Sequence, residues 1–92
     1  MTIKYTEEFI SQLKKQNVRV RKSFKKAINE FLKDVNSPIL NNHELQQEWQ
    51  GYRSIDITND WRAIYRQVKF AGETVIYFIS IGTHKQLYQS QS

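Results

Sequence analysis

The chain has 92 residues, 39% of them hydrophobic and 13% aromatic, enough for one folded domain with a small core and too little for a second. It contains no cysteine, which excludes disulfides and thiolate metal sites and suits a reducing cytoplasm. The net charge is +5, with nine Lys/Arg against four Asp/Glu in residues 1–40 and five of each thereafter, so any attraction for a polyanion or an acidic protein is concentrated in the first half.

The opening residues show no apolar signal segment, and no run is long enough to span a bilayer. Met1–Tyr5 alternates weakly and reads as a first strand. Thr6 is an expected helix N-cap, with Glu7 and Glu8 where the helix dipole favours negative charge. Phe9, Ile10 and Leu13 give that helix an apolar stripe, and it is expected to end near Asn17. The second helix carries Val20, Phe24, Ala27, Ile28, Phe31, Leu32 and Val35 at helical spacing. Arg21, Lys22, Lys25, Lys26 and Lys33 fall off the stripe and serve equally as a solvated face or as a docking surface. Pro38 stops the helix. Two short helices joined by a few residues form an antiparallel hairpin.

Ile39–Gln50 is polar and irregular. From Gly51 the period becomes two. Tyr52–Thr58 reads as a strand with Arg53, Ile55 and Ile57 on one face and Tyr52, Ser54 and Asp56 on the other. Asn59-Asp60 makes a turn. Trp61–Val68 is the next strand, with Arg62, Ile64, Arg66 and Val68 opposite Trp61, Ala63 and Tyr65. Phe70–Glu73 turns again, Thr74–Ile81 is a third strand ended by Gly82, Thr83–Tyr88 closes the fold, and Gln89–Ser92 frays. The expected class is α+β: a strand and a two-helix hairpin packed on an antiparallel sheet of about four strands, with the other face free for function.

Two histidines occur, His43 and His84, both at strand edges. Histidine gives and takes protons near neutrality. Taken alone, each is equally an ordinary surface or hydrogen-bonded residue. Two histidines without paired spacing do not make a metal site. Arg53, Arg62, Arg66 and Lys69 interleave with Tyr52, Trp61 and Tyr65, while Lys85 and Tyr88 follow His84. Such a surface suits single-stranded RNA, because Arg forks phosphate oxygens and aromatic faces stack on bases. The same pattern also describes core aromatics with solvated arginines. Asp60 suits a turn for backbone reasons alone. Asp56, on a strand, is less usual and could pair with an arginine.

Three stretches occur in order: His43-Glu-Leu-Gln-Gln-Glu-Trp49-Gln-Gly51-Tyr52-Arg53, then Asn59-Asp60-Trp61-Arg62-Ala-Ile64-Tyr65, then Ile79-Ser-Ile-Gly82-Thr83-His84 with Leu87-Tyr88. Together they resemble the RelE/ParE superfamily of toxins from prokaryotic type II toxin–antitoxin systems, and its YafQ branch in particular. The resemblance implies a ribosome-dependent endoribonuclease, an mRNA interferase that works without metal or cofactor and inhibits translation. It implies a cytoplasmic protein, monomeric when free, whose partners are a cognate antitoxin and the ribosome with its mRNA. It implies His84 as the principal acid, with His43, Asp60 and Tyr88 at the site and Arg62 as a phosphate-binding arginine. Arg53, Trp61, Arg66 and Lys85 are the remaining RNA-binding candidates. Two positions depart from the branch: Asp56 stands where a histidine is expected, and Ser80 where an arginine is. A ParE-like poison of DNA gyrase, without nuclease activity, is the alternative on the same fold.

Overall fold

The computed structural model describes residues 1–88, so the expected fraying of Gln89–Ser92 lies outside the described residues. The elements run β1 (Thr2–Tyr5), α1 (Glu7–Lys14), α2 (Val18–Lys33), β2 (His43–Glu44), β3 (Arg53–Asp56), β4 (Trp61–Phe70), β5 (Glu73–Thr83) and α3 (His84–Tyr88), with short 3-10 turns at Pro38–Leu40 and Gln47–Trp49. Thr6 caps α1 as expected, its side chain accepting from Phe9 N. Asn17 belongs to the second helix, not the first: its side chain accepts from Val20 N and caps α2. The first helix therefore ends at Lys14, earlier than the sequence suggested, and the second begins at Val18.

The sheet has five strands in the order β1-β5-β4-β3-β2, one more than expected. The additional strand is the two-residue β2, whose His43 and Glu44 pair with Ser54 and Arg53. β1 joins β5 in parallel, while β3, β4 and β5 form the expected antiparallel meander. The β4–β5 turn places Ala71 at φ 52° and Gly72 at φ 80°, the sign pattern of a tight hairpin turn.

Both long helices lie on one face of the sheet. Phe9, Val20, Phe24, Ala27, Phe31 and Leu40 pack there on Ile55, Ala63, Tyr65, Ile76, Phe78 and Ile81. Phe78, fully buried, sits within 6.1 Å centroid distance of the Tyr5, Phe9, Phe24, Phe31 and Tyr65 rings. Strict alternation would not bury both Phe78 and Ile81. A bulge resolves this: Tyr65 pairs with Phe78 and Ile64 with Ser80, leaving Ile79 as the extra residue. Beyond the bulge Ser80 and Gly82 point to the opposite face. The strand runs through Gly82, which pairs with Arg62, rather than ending there. β1 stops at Tyr5, and the exposed edge of β5 beyond it is met by a side chain. Gln12 of α1 accepts from Ile81 N at 3.0 Å.

Candidate active site

The face away from the long helices carries two cross-strand rows. One runs His43, Ser54, Ile64, Ser80 and the next runs Asp56, Arg62, Gly82, as the registers dictate. α3 closes over this face at the C-terminal end of β5. Three contacts from separate parts of the chain hold it. His84 N donates to Asp60 O at 2.9 Å, Trp49 Nε1 donates to Leu87 O at 3.1 Å, and the Tyr88 hydroxyl donates to Ser54 Oγ at 3.0 Å. Ser54 is fully buried, so this bond satisfies a hydroxyl that has lost water.

Tyr88 ties α3 to β3. Its ring meets His84 edge-on at 4.7 Å, and its hydroxyl reaches Ser54, the register partner of His43. Burial pushes the Tyr88 phenol above its ordinary value of 10.0, assisted by the Asp56 charge and opposed by the Ser54 hydrogen bond and the Arg62 charge. Tyr88 is therefore a neutral hydroxyl at physiological pH, a hydrogen-bonding group and not an anionic base. His43 is exposed, and its Nδ1 lies 2.8 Å from Asn41 O. A carbonyl only accepts, so Nδ1 is the donor in this contact, and in the neutral ring the lone pair is on Nε2. The preceding residue fixes this geometry: Asn42 Oδ1 accepts from Arg53 Nε and the Tyr65 hydroxyl, and its Nδ2 donates to Val35 O.

The cations behave differently from the expectation. Arg62 was expected to hold phosphate, but its guanidinium is engaged within the protein. NH1 donates to Thr58 O at 2.8 Å and Trp61 O at 3.0 Å, and NH2 to Asn59 O at 3.1 Å. Its Nε stands 2.9 Å from Asp56 Oδ1. That contact is an ion pair without an aligned hydrogen bond, so the buried Oδ1 has charge compensation but no donor directed at it. Arg62 thus staples the β3–β4 turn, and Asp56 is its counterion. Trp61 is partly buried against the helix-side core, its register partner being Thr83. Arg53 likewise bonds Asn42 and pairs with Glu44 at 3.4 Å. Among the described residues, Lys85 and Arg66 are exposed and make no ion pair. Lys85 adjoins His84, and Arg66 lies on the open face two residues beyond Ile64. Asp60 is exposed, and its backbone carbonyl is what anchors His84. Ser54, Asn42 and Gln12 were not legible as site or scaffold residues; small polar side chains without a motif carry no signal until their partners are known. Among the described residues no three His, Cys, Asp or Glu side chains cluster as a metal site, and no helix is long and apolar enough to cross a membrane.

Two helices on one face of a β1-β5-β4-β3-β2 sheet, with α3 closing over the other, define a RelE-type toxin fold. The family profile described as bacterial toxin of type II toxin–antitoxin system, YafQ, matches residues 1–89. The chain belongs to the YafQ family of toxins. YafQ from E. coli strain BL21(DE3) superposes with a TM-score of 0.74 at 23% identity, over 94% of this chain and 96% of that one. The toxin of the E. coli DinJ–YafQ toxin–antitoxin complex gives 0.69 at 25% identity, over 94% of each. The RelB–RelE antitoxin–toxin complex from Methanococcus jannaschii gives 0.67 at 18% identity, over 96% of this chain and 98% of that one. Identities of 18% and 23% establish the fold alone. No curated protein sequence matches the chain significantly.

Proposed function

We propose that this toxin is an mRNA interferase, a ribosome-dependent endoribonuclease of the cytoplasm, held in check by a cognate antitoxin. The observation that supports the reading is the chain of contacts from His84 to the Tyr88 ring and from the Tyr88 hydroxyl to Ser54, whose register partner on β2 is His43. In this mechanism His43 Nε2 takes the proton of a ribose 2′-hydroxyl. The oxygen attacks the adjacent phosphorus, and the P–O bond to the next nucleotide breaks. His84 protonates the departing 5′-oxygen, leaving a cyclic phosphate and a free 5′-hydroxyl. Lys85 and Arg66 supply positive charge to the crowded phosphorane-like state, a role their exposure allows and the engagement of Arg62 opposes. Tyr88 positions His84 through its ring. Asp60 positions it through its carbonyl. Antitoxin partnership is supported by family membership and by the antitoxin-bound state of the DinJ–YafQ and RelB–RelE relatives.

The test is induced expression with mapping of new mRNA 5′ ends. Wild-type protein gives codon-phased cuts, and His84→Ala reduces cutting by about 10²–10⁴-fold with an unchanged circular dichroism spectrum. Wild-type cutting by His84→Ala removes His84 from the mechanism. Intact transcripts with altered DNA supercoiling identify a gyrase poison instead.

A further inference from the structure

A cavity of the described protein lies away from the His84 row. β3 leaves β4 at the Arg53–Tyr65 pair, while β4 continues to Phe70. The edge of β4 from Arg66 onward therefore has no strand beside it on that side. The 44–53 segment folds alongside, and the space between encloses about 710 Å³, within the range of small-ligand sites. Gln46, Gln47, Gln50 and Gln67 line it with Tyr52 and Arg53.

Four amides around one groove form an unusual lining. None of the four makes a side-chain hydrogen bond among the described residues, so each retains donors and an acceptor for a ligand. Tyr52 is half-buried and held edge-on by Trp49 at 5.6 Å and 88°, which fixes its ring. The backbone at Gln47 is strained, with φ 56°, and left-handed non-glycine residues gather where function maintains them; Gly51 takes its φ of 91° without strain. Charge excludes one occupant. Glu44 neutralises Arg53 at 3.4 Å and puts a carboxylate on the rim, which repels a phosphate but accepts from an exocyclic base amine. Glu44 directly follows His43 on the edge strand β2, and alternation turns it to the other face of the sheet, so the groove lies around the β2 edge from the His43 row.

We propose that this groove is a nucleobase subsite, in which glutamine amides, the Glu44 carboxylate and the Tyr52 ring read an unpaired mRNA base flanking the cleaved bond. The proposal rests on the interferase reading above and assigns the sequence preference to this groove. Amides match the hydrogen-bonding edges of bases, and an aromatic ring stacks on their faces.

The test compares cut-site base frequencies for wild type, Gln50→Ala/Gln67→Ala and Gln50→Glu. Loss of one bidentate contact should lower the favoured base at one flanking position by about fivefold or more, while cutting persists. Gln50→Glu should shift the preference toward another base, because a carboxylate only accepts. Thermal midpoints check that the variants fold; all these side chains are exposed except Tyr52 and Arg53, which stay intact. An unchanged base distribution in both variants overturns the subsite and leaves the interferase reading standing. Absence of cuts by the wild-type protein overturns both.

Discussion

Arg62→Ala separates a structural arginine from a phosphate-binding one. The substitution removes three hydrogen bonds from a charged donor to the Thr58, Trp61 and Asn59 carbonyls, and it leaves Asp56 without its counterion. Bonds to charged groups contribute about 1.5 kcal/mol each at the low end. The Arg62 side chain is 16% exposed and that of Asp56 25%, so water replaces part of the loss, as it does for surface pairs. The expected cost is about 2–3 kcal/mol, a large share of a marginal stability. For a domain of this size that lowers the midpoint by about 10–20 °C. Urea and thermal unfolding followed by far-UV circular dichroism measure it. Arg62→Lys should recover less than half, since an ammonium cannot fork three carbonyls. An Arg62→Ala protein with a wild-type midpoint and no cleavage would refute the staple and return Arg62 to the substrate.

Four further outcomes are expected. Phe78→Ala, at the centre of the ring cluster, should cost about 3–5 kcal/mol in urea titrations. Asn17→Ala removes the cap of α2 and should cost about 1 kcal/mol by the same method. Ala71→Asn should raise stability by about 0.5–1 kcal/mol, because Asn tolerates the positive φ of the hairpin turn. The raised Tyr88 phenol has a signed consequence: below pH 10.0 the tyrosine is neutral in folded and unfolded chains alike. As the pH rises past 10.0 the unfolded chain loses that proton first, so stability falls. Tyr88→Phe should make the alkaline decline measurably shallower, with Tyr5, also raised by burial, accounting for part of what remains.

The fold was largely readable because its long elements declare their periods. α2 places Val20, Phe24, Ala27 and Phe31 inward as the helical spacing demanded, and β3 and β4 turn Ile55, Ala63 and Tyr65 to the core as alternation demanded. β2 was not readable, since two residues hold no period and their strand character comes from pairing with β3. The bulge at Ile79 was hidden for the same reason. At the site, His84, His43, Asp60 and Tyr88 stood out through a family-like spacing. Arg62 and Trp61 were assigned to RNA because alternating cations and rings look alike whether they face solvent or their own fold. For Arg62, the carbonyls of the 58–61 turn show its guanidinium engaged by its own fold.

The parallel pairing of Thr2 with Val75 gives synthesis of this chain an order. β1 has no strand to join until β5 has been made, and β5 sits between β1 and β4, so the sheet cannot assemble by progressive growth from the front. Contacts so distant in sequence form late, after most of the chain is present. The groups that hold His84 come from the β3–β4 turn and from β3, and they meet it only at that stage. A chain interrupted before β5 can pair only β2, β3 and β4, and it lacks both the partner of β1 and the strand that leads into α3 with His84 and Tyr88.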